Sequence, residues 1–162
     1  MFTMEPMTAD HRKLLTELVE IVSNTGDRIA SLRLVADLLK SSGGYRWVGL
    51  YDVDRMAGVV RNIVWSGPGA PEYPTFPITD GLTGAAVAGR QTVNVRDVSA
   101  DPRYLTALST TRSEIIVPVF DSAREIVVGT IDVESETPHA FSKDEQEFLE
   151  SCSNVIRPLW QR

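Results

Sequence analysis

The chain has 162 residues, of which 43% are apolar and 23% charged, with a net charge of −6 at neutral pH. This is ordinary globular usage in one domain's length, so a disordered body is excluded and a sizeable core is expected. The acidic balance and the lack of a basic cluster argue against nucleic acid or an anionic membrane as partner. No apolar run reaches the ~18 residues of a membrane span. The opening "MFTMEPMTADHRK" lacks the basic-then-apolar order of a secretory signal. The single cysteine, Cys152, rules out an intrachain disulfide. A soluble, cytoplasmic protein is expected.

In chain order, "TADHRKLLTELVEIVSN" (8–24) puts Leu14, Leu15, Leu18, Val19, Ile21 and Val22 at helical spacing and predicts an amphipathic helix. "DRIASLRLVADLLKSSGG" (27–44) repeats the pattern and stops at Gly43 and Gly44. "YRWVGLYDVD" (45–54) switches to alternation, with Trp47, Gly49 and Tyr51 on one face and Val48 and Leu50 on the other. "GVVRNIVW" (58–65) predicts the second strand of an antiparallel hairpin. Three prolines and two glycines make "SGPGAPEYPT" (66–75) a loop. "DGLTGAAVAGR" (80–90) reads as a short helix that Asp80 is placed to cap. "QTVNV" (91–95) is a short strand, and "RDVSADPRYLTALSTTR" (96–112) a long polar connection with at most one helical turn. Two apolar strands follow, around a polar turn, in "SEIIVPVFDSAREIVVGTIDVES" (113–135). The last helix starts at Ser142, which has capping-box spacing to Glu145. Its apolar stripe is Phe148, Leu149, Cys152, Val155, Ile156 and Leu159. Strands segregated from terminal helices define an α+β fold with a mainly antiparallel sheet. There is no internal repeat.

Glu114, Asp132 and Glu134 stand among the Ile and Val residues of the last two strands. If their turn has an odd number of residues, Phe120 opposes Ile126 or Val128, and Glu114 opposes Asp132 or Glu134. All three carboxylates then share one face at one end of the hairpin. An even turn breaks this arrangement. Two readings of the cluster compete: a solvated strand end, or the polar floor of a pocket. The same face runs on through Ile116, Pro118 and Phe120, and through Val128 and Ile126, so something should cover it. Trp47 and Tyr51 are either core aromatics or walls of that pocket, where their faces would suit an ammonium group.

The segments "RWVGLYDVD", "ITDGLTGAAVAGRQTVNVRDVSADPRY", "SEIIVPVFD", "VVGTIDVES" and "HAFSKDEQEFLE" together resemble a GAF domain over residues 27–160, following an N-terminal helix in 1–26. "WVGLY", "SEIIVPV" and "IDVES" are most similar to the free methionine-(R)-sulfoxide reductase branch. The resemblance implies a central antiparallel sheet of about six strands, with terminal helices on one face and pocket loops and a short helix on the other. It implies that the acids matching Glu114, Asp132 and Glu134 hold a substrate amino group or assist catalysis, and that Trp47 and Tyr51 pack around a sulfoxide methyl group. Glu134 stands where the branch has Asp. The reductase cysteines would fall at about Tyr73, at Thr83 and at Ala107, and none is a cysteine here. Reduction by that route needs an attacking thiolate and a resolving thiol. Cys152, in an apolar helical stripe, reads as structural.

The two histidines, His11 and His139, make no ligand pair, so neither a metal nor another cofactor is expected. "GLTG" lacks the lysine of a phosphate loop. The leading expectation is a stand-alone sensor module for a small-molecule ligand with an ammonium group. Trp47, Tyr51, Thr83, Glu114, Asp132 and Glu134 would bind it, and the backbone N–H groups of 81–84 would face its anionic end. The alternatives are a reductase-like enzyme and a degenerate pocket that serves only dimerisation. A homodimer formed through the helices is expected, and any signal would pass to a separate partner.

Overall fold

The computed structural model describes residues 7–24, 26–105 and 109–161. Helix α1 (Ala9–Ser23) starts at Thr8, whose hydroxyl accepts from the His11 N–H, and α2 (Arg28–Gly43) starts at Asp27, whose carboxylate accepts from the Ile29 N–H. Each cap satisfies an N–H that the first turn leaves without a partner. Gly44 ends α2 in the left-handed conformation, at φ 64°, as the glycine pair predicts. The strands are β1 (Trp47–Asp54), β2 (Val59–Ser66), β3 (Thr75–Pro77), β4 (Val93–Val95), β5 (Ser113–Phe120) and β6 (Val127–Ser135). Between β3 and β4 lies α3 (Gly81–Gly89), and α4 (Lys143–Ile156) closes the chain with a 3₁₀ turn at Arg157–Trp160.

The six strands form one antiparallel sheet in the order β3-β2-β1-β6-β5-β4. This is the α+β architecture expected, with the longest strands at the centre. One element was missed in chain-order reading. Thr75–Pro77 pairs with Val59–Arg61 as an edge strand directly after the proline-rich segment that reads as loop. An edge position tolerates proline because one side of the strand needs no donor.

The odd positions of β5 and β6 (Ile115, Val117, Val119, Ile131 and Val133) join Val48, Leu50 and Val64 against α1, α2 and α4 in the main core. Leu14 and Leu18 of α1 lie in that core, and Cys152 is fully buried there. The even positions face the other way. Ile116 packs with Leu82, Ala86, Val95 and Val98, while Trp47 and Tyr51 pack with Val60 and Phe76. Helices therefore cover one face of the sheet, and α3 with the adjoining loops covers the other.

The hairpin turn between β5 and β6 required a correction. Phe120 pairs with Val127, which leaves six residues between the strands. An even turn alone would separate the carboxylates onto two faces. The register shifts between Val119 and Phe120, and from Val119↔Gly129 onward the pairing runs Ile116↔Asp132 and Glu114↔Glu134. The bulge thus restores the odd register, since one extra residue flips the alternation of everything beyond it. It also turns Val128 to the helical core, so Val128 does not continue the acids' face. The polar, fully buried Thr130 lies between them.

Candidate functional site

Glu114, Asp132 and Glu134 occupy neighbouring strands at the open end of the β5–β6 hairpin. Across β6, Glu134 faces Trp47 and Asp132 faces Gly49 of β1. Their carboxylate oxygens lie within 4.8 Å of one another. All three residues are buried, at 3%, 4% and 0% exposure for Glu114, Asp132 and Glu134. A solvated strand end would leave them open to water, so that reading is excluded.

The Thr111 hydroxyl donates to Glu134 Oε2 at 2.9 Å. Glu114 and Asp132 lie on paired strands with carboxylate oxygens within 4.8 Å of each other. Glu114 Oε2 and Asp132 Oδ1 are buried without a hydrogen-bond partner among the described residues, and no described arginine or lysine pairs with either side chain. Burial raises the Glu114 pKa well above the usual carboxylate range, and the adjacent Asp132 and Glu134 add to the rise. Burial pushes Asp132 up to about 7, opposed by the bond with Glu114. Tyr51 is also raised, first by burial and then by Asp132, Glu114 and Glu134.

Gly49 explains how the walls fit. A Cβ there would stand 2.2 Å from the Trp47 ring and 2.9 Å from the Tyr51 ring. Its absence lets both aromatics fold over the strand and leaves the space opposite Asp132 free of a side chain. The two rings are 6.4 Å apart, and Phe76 meets Tyr51 edge-on at 5.9 Å. Trp47 itself is fully buried, with its indole N–H donating to the Gly69 carbonyl at 3.0 Å.

Tyr51, Tyr73, Phe76, Gly81, Leu82, Thr83, Leu105, Glu114 and Asp132 line a small cavity of about 20 Å³, space for one water-sized group. Four of the six sequence-predicted site residues thus border it: Tyr51, Thr83, Glu114 and Asp132. Trp47 and Glu134 do not. Trp47 backs Tyr51, and Glu134 sits beside the other two acids. Chain-order reading missed Phe76, Leu105 and Thr111. Phe76 lies in the unrecognised edge strand, and the other two lie in the polar connection, where no periodicity marks a side chain that turns inward. Asp80 precedes α3, as predicted, but its carboxylate accepts from the Thr79 hydroxyl at 3.1 Å and makes no cap bond to the helix. A larger open groove of about 1070 Å³ runs along the outer side of α3. It contains none of the acids, but Gly81 and Leu105 border both spaces.

The chain's single cysteine does not lie on this face. Tyr73 and Thr83, two of the positions where the sequence resemblance would put a cysteine, line the cavity, and the third, Ala107, lies outside the described residues. Cys152 is across the sheet, and burial raises its thiol pKa far above the ordinary value.

Residues 27–157 match the GAF domain family model, and the chain belongs to that family. It is 30% identical to Protein ZMO0507 of Zymomonas mobilis over 149 residues, 90% of this chain and 86% of that protein. The fold is similar to that of free methionine-R-sulfoxide reductase from Neisseria meningitidis in complex with its substrate, with a TM-score of 0.85 and 28% identity over 99% of this chain and 95% of that one. It is also similar to a putative GAF sensor protein from Burkholderia vietnamiensis, with a TM-score of 0.83 and 25% identity over 94% of each chain. No helix among the described residues is long and apolar enough to cross a membrane.

Proposed function

We propose that this GAF domain is a binding module for a small amino-acid-like ligand, whose ammonium group is held by Glu114, Asp132 and Glu134, and that it reports occupancy to a separate signalling partner. The observation that carries this reading is the buried acid triad, with oxygens of Glu114 and Asp132 that no described side chain satisfies. Three carboxylates in one dry place repel one another, and a cation with several N–H donors relieves both the repulsion and the unmet acceptors. Tyr51 and Phe76 supply an apolar wall for the ligand body. The first backbone N–H groups of α3, beside the cavity at Gly81 to Thr83, suit a carboxylate. The cavity is far below the ~300 Å³ of a typical ligand pocket, so binding requires the walls to part. Leu105 and Gly81, which separate cavity from groove, mark the approach.

A thermal-shift screen over amino acids, nucleotides and tetrapyrroles tests the ligand class. Amino acids should raise the melting temperature, since a ligand at a hundredfold excess over Kd adds about 2.7 kcal/mol to the folded state. Glu114→Gln keeps the shape and removes one charge. It should weaken the binding of such a ligand by ~1.5–3 kcal/mol in titration calorimetry, the range for a hydrogen bond to a charged group. In the empty protein the same change should be neutral or stabilising. Unchanged binding with a less stable empty protein would make Glu114 structural.

The similarity to methionine sulfoxide reductases supports a second reading, as an enzyme. The cysteine inventory opposes it, because the one thiol in the chain is buried behind the sheet. We expect no multiple turnover of free methionine-(R)-sulfoxide with dithiothreitol or thioredoxin. Turnover that persists in Cys152→Ser would return the protein to the enzyme class.

A further inference from the structure

We propose that the Glu114–Asp132 pair holds a proton while the site is empty and releases it to solvent when an ammonium group binds, so that ligand uptake is coupled to pH. This rests on the reading of the triad as an ammonium site. Two buried carboxyls with oxygens within 4.8 Å are favoured to hold one proton between them, because two carboxylates offer only acceptors and repel one another. A third acid lies within 4.8 Å, and no described arginine or lysine pairs with Glu114 or Asp132. A proton is therefore the cation by which the empty pocket limits its own charge.

An arriving ammonium brings a full positive charge and three N–H donors. The carboxyl O–H bond breaks, the proton passes to water or buffer, and the freed oxygens of Glu114 and Asp132 accept from the ammonium. The balance is one protonated site plus one ammonium going to one ammonium complex plus one proton. Among the described residues, the other titratable groups facing the pair are Tyr51 from β1, Tyr73 and Tyr104 from the covering segments, and Glu134 from β6. α3 contributes only Gly81, Leu82 and Thr83 to the cavity wall, none of which titrates. The Tyr51 and Tyr104 phenols are pushed up by burial and stay neutral. The raised carboxyls are the groups placed to change charge on binding.

Two measurements separate this coupling from the ligand reading beneath it. The first uses the empty protein, with carbon-13 NMR of the Glu and Asp carboxyl carbons against pH. Two carboxyl resonances titrating above pH 6, and lost in Glu114→Gln and Asp132→Asn, are expected. Ordinary titration of every carboxyl below about pH 5 would overturn the proposal whether or not any ligand binds. The second is calorimetry of L-methionine-(R)-sulfoxide at pH 6.5 in phosphate and in Tris, whose ionisation heats differ. A buffer-dependent heat equal to about one proton released, with affinity falling about tenfold per pH unit toward acid, is expected. Binding with no buffer dependence would overturn the coupling and leave the ammonium site standing. Failure of this probe to bind between pH 6 and 9 would overturn the amino-acid reading, and the carboxyl titration would still decide the proton.

Discussion

Gly49 occupies the one point of β1 where a side chain would collide with its own strand's aromatics. An added Cβ would stand 2.2 Å from Trp47, whose ring is fully buried and tethered to the Gly69 carbonyl. The ring has no free space to move into, so the substitution acts as overpacking, which typically costs 1–3 kcal/mol. Gly49→Ala should lower stability by about that amount in chemical denaturation and shift the Trp47 environment seen by fluorescence. Unchanged stability would mean that the Trp47–Tyr51 wall is loosely packed, and would weaken its assignment as a binding surface. Asn62 is a second residue with a local task. Its side-chain N–H groups donate to the carbonyls of Val64 and Leu50 at 3.0 and 3.4 Å, at the bulge where β1 and β2 shift register between Leu50 and Tyr51. That shift lies beside Tyr51, which lines the cavity together with Glu114 and Asp132.

At the scale of elements, the helices show which apolar positions the chain uses for itself. Leu18 of the α1 stripe is completely buried in the chain's own core, so a substitution there would report unfolding and not a contact between copies. The exposed apolar side chains on the same layer are Val19 of α1, at 50%, and Ile29 and Leu34 of α2, at 39% and 55%. We propose that these form the contact with a second copy. Val19→Glu and Leu34→Glu should then shift the sedimenting mass from dimer to monomer and leave the helical circular dichroism unchanged. A wild-type monomer at tens of micromolar would remove the homodimer from the account. α3 works differently. Its residues are small, so it lies close against β4, β5 and β6 and brings Thr83 to the cavity.

For the whole molecule, the buried pair sets a distinctive dependence of stability on pH. Glu114 and Asp132 have folded pKa values raised above the unfolded ones, the latter near ~4 for ordinary carboxyls. Between ~4 and about 7 the folded state binds more protons than the unfolded state, so stability falls as pH rises. The pair's contribution is full below the unfolded pKa and is lost as pH climbs through the folded values. Asp54, Asp97, Asp101 and Asp121 are lowered by hydrogen bonds and act in the opposite direction, losing their contribution only as pH falls below ~4. Urea unfolding of the empty protein from pH 4.5 to 8 should therefore show declining stability, and the Glu114→Gln/Asp132→Asn double variant should show a flatter profile. An equal slope in both proteins would place the effect elsewhere.

Sequence alone determined the order of the helices and the long strands, most of the faces of those strands and the acids as the exceptional residues in an apolar hairpin. These are local matters of alternation, helical spacing and caps, each readable within about ten residues. Thr83 and Tyr51 were reached through the family resemblance and the strand face, and both line the cavity. Tertiary structure decided the rest. The acids share a face because a bulge corrects an even turn, and a bulge has no period to betray it. Phe76 and Leu105 reach the cavity because an edge strand and a polar connection fold over the sheet, a contact between segments far apart in the chain. Leu18 and Val19 belong to the same predicted stripe, yet one is buried and the other open. Only the packing of α1 against the finished core distinguishes them, because a helical stripe records an apolar face without recording how much of it a neighbour covers.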